Sequence, residues 1–389
     1  MQKNCFLVTG ARAPVALEWV RRLYAQGHDV YTCDSLVHSL AGCSAAVKAY
    51  LRLPAPALEP ERFGIEVLKI IQEYHITHVL PTCEEVFYWA ALWQKAQPQA
   101  QLIAPSFDKL RTYHSKYLFA RLVLKFGLHA PATQHISHRE TLDIKELSQK
   151  QFVLKPEFSR FATRVFIQTP PQKLIEIPQN LSIDSQNTWV LQDYIAGKHF
   201  CSYAFALKGQ LKALAVYEAV FRTGQHGACY HFQQKNIPEI ESINQHFIAS
   251  ENYHGQLALD FIQSESNGKF YLLECNPRAT SGLHLLPEQA FWVDEFSGSL
   301  KPKEHQAAML AAVMLTDGLL KNLKPKKLKL WFQAYQQAQD VIWSNQDQTP
   351  FWQQAKLYRE FWQIAKQQKI SILEASTYGI AWDGSNIIF

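Results

Sequence analysis

Residues 5–9, Cys-Phe-Leu-Val-Thr, make a short apolar run closed by Gly10, the pattern of a parallel strand buried on both faces. A turn at Ala11-Arg-Ala-Pro14 follows. Apolar side chains then fall at Val15, Leu17, Val20, Leu23 and Tyr24, a helical spacing over 15–26 that Gly27 closes. Residues 28–33 predict a second strand with Asp34 at its end. An amphipathic helix over 62–74, a strand over 77–80, a helix over 84–95 and a strand over 101–104 continue the alternation. Strand and helix in strict succession predict a doubly wound α/β domain to about residue 110.

Beyond it the pattern changes. Residues 115–126 keep a helical register ended by Gly127, with Pro131 close behind, and a connecting helix lies near 142–147. Gln151-Phe-Val-Leu-Lys155 is an apolar strand stopped by Pro156, and residues 189–195 are another. Residues 200–207 and 211–217 flank Lys208-Gly209, a hairpin signal. A helix over 237–250 precedes a strand over 254–262 that carries Asp260. Asn267-Gly268 turns it into Lys269-Phe-Tyr-Leu-Leu-Glu-Cys-Asn-Pro-Arg278. The last ninety residues predict an apolar helix over 306–316, strands over 328–332 and 340–343, an amphipathic aromatic-rich helix over 351–367, and strands over 370–374 and 377–382.

Composition bounds the reading. The chain has 389 residues, 47% of them hydrophobic, and a net charge of +5, which fits a globular protein of two or three domains. The basic residues are scattered, so nucleic acid is not an expected partner; the one run, Lys324-Pro-Lys-Lys-Leu-Lys329, reads as a solvated linker. Seven cysteines occur singly. With no signal peptide and no apolar run of spanning length, they predict reduced thiols in a cytoplasmic protein without a membrane partner.

Chemistry concentrates at 269–278. Period two places Glu274 and Asn276 on one face with Leu272 before them, and Pro277 stops the strand so that Arg278 follows its end. A carboxylate, an amide oxygen and a guanidinium at a strand end suit a magnesium-bound polyphosphate, the cation taking oxygens and the arginine taking phosphate. A polar strand end leading into a turn has the same pattern. A lysine such as Lys155 at the end of an apolar strand reaches an anion in a closed cleft, or is solvated. Gly10 and Asp34 invite a dinucleotide site, but that fingerprint needs glycines where this chain has Arg12 and Val15. Glu84 and Glu85 lie at a carboxyl-end edge within reach of a ligand; a helix N-terminal charge is the plainer reading.

The order of these parts resembles the ATP-grasp superfamily over roughly residues 1–300: a doubly wound domain, Lys116 on a linker helix, Lys155, the segment Gln192-Asp-Tyr-Ile195, Asp260, and Glu274-x-Asn276-Pro-Arg278. The resemblance implies a pre-ATP-grasp domain at 1–112, a two-lobed ATP-grasp domain at 113–300 with its small lobe at about 125–190, and a small mixed region at 301–389. It implies that Lys155 contacts the α- and β-phosphates of ATP, with Lys116 as a second nucleotide-side lysine. Gln192, Asp193, Tyr194 and Ile195 would form the adenine hinge, with Asp193 near the ribose. Asp260, Glu274 and Asn276 would hold Mg²⁺, with Mn²⁺ an alternative, and Arg278 would steady the transferred phosphoryl group. Three departures stand out. The loop after Lys155 has no glycine, so Ser159, Arg160 and Thr163 would have to replace its donors. Asp193 and Asp260 stand where many members have glutamate. His199 stands where a second acid is common.

The activity this implies is ADP-forming ligation of a small carboxylate to an amine through an acyl phosphate. Residues 222–231 are the candidate lid or substrate contact, with Gly224 and Gly227 as hinges and Arg222, His226 and His231 as its reactive side chains. The glycine-poor loop motivates an alternative, a nucleotide-binding module without turnover, and the first domain a third, a nicotinamide-dependent oxidoreductase. The aromatic-rich last region covers the substrate side, builds a homodimer interface, or packs on the lobes before it.

Overall fold

The computed structural model describes residues 3–142, 147, 150–159, 164–169, 177–178, 181–222, 229–289 and 298–389. The connecting helix expected near 142–147 falls largely outside them. The chain opens with β1 (Cys5–Thr9), α1 (Pro14–Ala25), β2 (Asp29–Asp34), β3 (Ala49–Arg52), α2 (Pro60–Glu73), β4 (His78–Leu80), α3 (Val86–Ala96) and β5 (Gln101–Leu102). These strands form one parallel sheet in the order β3-β2-β1-β4-β5. Helix α1 covers one face and α2 and α3 the other, so Leu7 and Val8, neighbours on β1, enter separate cores. That two-sided burial is why β1 is apolar at every step.

Helices α4 (Phe107–His114) and α5 (Lys116–Lys125) lead to a four-stranded antiparallel sheet of β6 (Thr133–Ile136), β7 (Phe152–Pro156), β8 (Phe166–Gln168) and β9 (Trp189–Asp193), in the order β6-β9-β7-β8. The larger sheet contains β10 (Gly197–Leu207), β11 (Gln210–Arg222), β12 (Cys229–Gln234), β13 (Gly255–Ser264) and β14 (Phe270–Asn276), with α6 (Pro238–Ser250) packed beside it. Lys208 and Gly209 make the β10–β11 turn at φ 49° and 76°, the left-handed pair that a two-residue hairpin needs.

Residues 301–389 are shared between the earlier parts. Strands β15 (Ala307–Met309) and β16 (Ala338–Asp340) extend the large sheet to the order β14-β13-β10-β11-β12-β15-β16. The predicted helix over 306–316 is therefore β15 followed by a short helical turn at Ala311–Val313 that widens over Met314–Gly318. The predicted strand over 328–332 is part of α7 (Pro325–Gln337). Its alternating Leu328, Leu330 and Phe332 are exposed, while Trp331 between them is buried, so the period of two recorded no burial. The expected strand over 340–343 meets β16 only at Asp340, and 341–343 carry no strand. The aromatic-rich helix is α8 (Thr349–Gln368), as expected. In place of strands over 370–374 and 377–382 there is α9 (Ile372–Ala375), opened by a reciprocal cap between Ser371 and Glu374, and then a run of turns.

One side chain ties the first sheet to the large one. Gln256 on β13 is buried; its Oε1 accepts from Trp19 Nε1 (2.7 Å) and Tyr203 OH (2.8 Å), and its Nε2 donates to Pro81 O (2.6 Å). Three elements thus share one amide that makes three of its four possible bonds. The arrangement sets residues 82–85, which follow β4, against the end of β14.

Candidate active site

Strands β13 and β14 pair with Asp260 opposite Glu274 and Ala258 opposite Asn276, but the register shifts after Asp260, so Phe261 faces Leu272 and Leu273 is left over. This extra residue inverts the alternation. Leu272 and Cys275 enter the core beneath the sheet, and Glu274 and Asn276 face the other way. Leu272 is thus not on the face of Glu274, as the period of two had predicted.

On that face a polar chain runs from one sheet to the other. Asn276 Nδ2 donates to Asp260 Oδ2 (3.3 Å), Arg278 Nη2 donates to Asn276 Oδ1 (3.0 Å), and Arg278 Nε donates to Glu84 Oε1 (2.5 Å). Glu84 is 1% exposed. It belongs to the loop after β4 and pairs across the domains instead of serving as a plain helix N-terminal charge. Its neighbour Glu85 accepts from Thr9 Oγ1 (2.6 Å) and from the Thr82 and Cys83 backbones. Gly10, at φ +68°, lies against Glu85, where a Cβ would come within 2.8 Å of its carboxylate.

Two lysines approach from the four-stranded side. Lys155, at the end of β7, and Lys116, at the start of α5, are both buried. Burial lowers the Lys155 ammonium to about 8, with Glu274 opposing the shift. Burial likewise lowers Lys116, against the pull of Glu274, Glu84 and Glu157. Lys116 Nζ donates to Glu157 O (3.3 Å), Ser159 O (3.3 Å) and Ser159 Oγ (3.2 Å). Lys155 makes no hydrogen bond among the described residues; its charge acts on Glu274 and Asp260. Burial alone would raise the Glu274 carboxyl, but the Lys116 and Lys155 ammoniums outweigh it and hold it down. Asp260 is raised by burial and by the Glu274 charge beside it. Two half-buried carboxylates side by side, one of them favouring its proton, form a site that a divalent cation would relieve. Asn276 can join them when its amide turns to present Oδ1 in place of Nδ2.

The remaining candidates divide. Asp193, Tyr194 and Ile195 line a cavity of about 540 Å³ together with Gln151, Glu265 and Tyr271, a size suited to a small ligand. Gln192 does not line it: its side chain is buried and donates to Thr133 Oγ1 (2.9 Å). Arg222 ends β11, and its charge is felt at Asp260 and Cys229. His231 is no lid residue. It lies on β12, is 2% exposed, and its Nε2 donates to Ala334 O (3.1 Å). The strands β11 and β12 claim both ends of the expected lid. His226, Gly224 and Gly227 lie outside the described residues, as do Arg160 and Thr163.

Sequence reasoning passed over His114 and Trp382. His114 is buried beside Glu84 (3.9 Å), within ring contact of Phe87 and Trp382, and burial lowers its imidazole to about 4. Residues 376–382 fill the crevice at the carboxyl ends of the first sheet. Arg12, paired with Asp34, donates to Ser376 O and Tyr378 O, and Tyr88 OH donates to Ala381 O. Some 20 Å³ remains there, room for about one water and none for a dinucleotide.

A profile of the ATP-grasp domain family matches residues 113–282. This stretch is an ATP-grasp domain. It contains both lysines, residues 192–195 and the β13–β14 hairpin with its polar chain. Solved structures of similar fold include N5-carboxyaminoimidazole ribonucleotide synthetase in complex with ADP, at 14% identity, with a TM-score of 0.60 over 82% of this chain and 85% of that one. The L-amino acid ligase from Bacillus licheniformis aligns at 14% identity and a TM-score of 0.58, over 75% of this chain and 73% of its own. The Staphylococcus aureus N5-carboxyaminoimidazole synthetase complexed with ADP aligns at 10% identity and 0.58, over 82% and 87%. No curated protein sequence matches the chain at a significant level. The doubly wound domain and the ATP-grasp domain follow one another in the expected order.

Proposed function

We propose that the chain is an ATP-dependent ligase that activates a small carboxylate as an acyl phosphate, releases ADP and transfers the acyl group to an amine. The observation that carries this reading is Lys155: a buried ammonium without a hydrogen bond among the described residues, set beside the Asp260–Glu274 pair. A buried ammonium beside two half-buried carboxylates, one of them favouring its proton, is a charge arrangement that an anion and a cation together would complete. A magnesium nucleotide does so, its phosphates meeting the lysine and its cation the carboxylates.

In this reading Lys155 and Lys116 face the phosphates, and Ser159 orients Lys116. Asp193, Tyr194 and Ile195 face the base and ribose from the 540 Å³ cavity, and Gln192 supports them through Thr133. Asp260, Glu274 and Asn276 hold Mg²⁺, or Mn²⁺ in its place. The set is two carboxylates and an amide, which suits an ion that keeps waters and brings phosphate oxygens with it. The metal, once bound, neutralises charge on the phosphates. A substrate carboxylate oxygen attacks the γ-phosphorus, the bond to the β-bridging oxygen breaks, and ADP leaves. Arg278, fixed by Glu84 and Asn276, stands to steady the transferred phosphoryl group. The amine nitrogen then attacks the acyl carbon and phosphate departs.

We place 1–112, 113–300 and 301–389 as the working divisions of the chain, with 301–389 serving the other two. Seven free thiols and the use of ATP support a cytoplasmic setting, and no described helix is long and apolar enough to cross a membrane. Trp352 and Trp362, exposed on α8, support self-association. The second reading, a nucleotide-binding module without turnover, is favoured by the glycine-free turn after Lys155. An ADP-release screen that pairs small carboxylates with amines separates the two. Release only when both partners are present supports the ligase; Mg·ATP binding with no release from any pair supports the module.

A further inference from the structure

The turn after β7, Glu157-Phe158-Ser159, is held from three sides without a glycine. Glu157 accepts hydrogen bonds from Ser115 Oγ, from Thr188 Oγ1 (2.6 Å) and from His135 Nε2 (2.9 Å), and its own N–H donates to Thr188 O (2.9 Å). Ser159 gives its carbonyl and hydroxyl oxygens to Lys116 Nζ. Phe158, between them, turns its ring edge-on to Trp382, with centroids 5.3 Å apart at 65°, and lies 5.9 Å from the His114 ring.

Trp382 is anchored independently of Phe158. It is 3% exposed, stacks on Phe87 at 4.7 Å, meets Phe107 at 5.5 Å, and its Nε1 donates to Ser385 O (2.7 Å). The chain then passes directly over Phe158 at Gly384, where φ is +97° and a Cβ would come within 2.5 Å of the Phe158 ring. The ring is therefore wedged between a fixed indole and a backbone that only glycine lets approach so closely. A residue 224 positions further along the chain thus packs directly against this turn.

We propose that Trp382 is a positioning residue for the nucleotide site: Phe158 docks on it, which helps fix the turn 157–159 and, through the Ser159 oxygens that Lys116 Nζ donates to, sets where the Lys116 charge stands beside that site. This rests on the reading of the site given above. A turn held in place before ligand arrives costs no ordering when the nucleotide binds. Loss of either ring removes one of the turn's supports and loosens it, so affinity falls even where the fold survives.

The test is calorimetric titration of Mg·ATP into the full chain and into Phe158→Ala, Phe158→Leu, Trp382→Ala and Trp382→Phe, with the melting temperature of each. Phe158 is only half-buried, so Phe158→Ala keeps the fold and carries the test if Trp382→Ala does not. The expected result is about tenfold weaker binding in Phe158→Ala, an equal loss in Trp382→Ala, and no further loss when Phe158→Ala and Trp382→Ala are combined in one chain. Trp382→Phe, which restores a ring, recovers part of the affinity. Amide hydrogen exchange at 157–159 quickens in the weak variants. Unchanged affinity in Phe158→Ala, beside a wild type that binds, overturns this inference alone. A wild type that does not bind Mg·ATP overturns the reading of the site as well.

Discussion

Arg278 Nε and Glu84 Oε1 stand 2.5 Å apart across the boundary between the first sheet and the ATP-grasp domain, 194 residues apart in sequence. The pair is nearly closed to solvent, with Arg278 at 15% and Glu84 at 1% side-chain exposure. The remaining Arg278 nitrogens bind Asn276 and Ala279, so the guanidinium plane is fixed before any substrate arrives. Glu84→Gln removes the charge that compensates a buried cation, a change that costs about 3 kcal/mol in comparable pairs. Urea denaturation should show a loss of that order, with turnover reduced further because Arg278 is no longer oriented. Glu84→Gln with full stability and full activity would show that the pair is incidental.

Gln256 offers a purely structural counterpart. Gln256→Leu removes the hydrogen bonds that the Gln256 amide makes with the Trp19 N–H, the Tyr203 hydroxyl and the Pro81 carbonyl. Each buried group that loses its bond costs about 1–3 kcal/mol, so a loss of several kcal/mol in unfolding free energy is expected. Mg·ATP should still bind to the fraction that folds.

Stability should respond to pH through His114. Its imidazole sits at about 4 in the folded chain, against 6.5 when free. Between those values the unfolded chain binds more protons than the folded one, so stability falls as pH drops from 6.5 toward 4. The full effect is roughly 3 kcal/mol. Comparing unfolding free energies at pH 7 and pH 4.5 for wild type and His114→Phe reads it directly: the variant should lose less.

Nucleotide affinity should carry a second pH dependence. Lys155 gives up its proton near 8 in the free protein, and the phosphates need the protonated form. Mg·ATP binding is therefore expected to weaken above pH 8. Lys155→Arg, which stays charged throughout, should bind more weakly at pH 7 but lose the dependence. A wild-type affinity flat from pH 7 to 9.5 would contradict the role given to Lys155.

Much of this was legible in the chain. The doubly wound sheet could be read because strands buried on both faces spell out unbroken apolar runs. Lys155 and Asn276 could be placed because each sits beside a proline at the end of its strand, and Glu274 because it lies two residues before Asn276. The bulge at Leu273 left no mark, since a register shift changes no residue type. The 328–332 segment misled because its alternating apolar side chains face water. The Ser371–Glu374 cap was present as a Ser-x-x-Glu signal and passed over beside a short apolar run. Glu84 and Trp382 could not be assigned from local pattern, because their partners lie on other elements.

The most direct test is Mg²⁺-dependent ATP binding to wild type and to Glu274→Ala, measured by calorimetry with circular dichroism as a check on the fold. Glu274 binds through its carboxylate alone, so the account predicts tight binding with Mg²⁺, weak binding when EDTA removes it, and loss of the Mg²⁺-dependent part in the folded variant. Equal affinity for ATP in wild type and Glu274→Ala, with or without Mg²⁺, would contradict it.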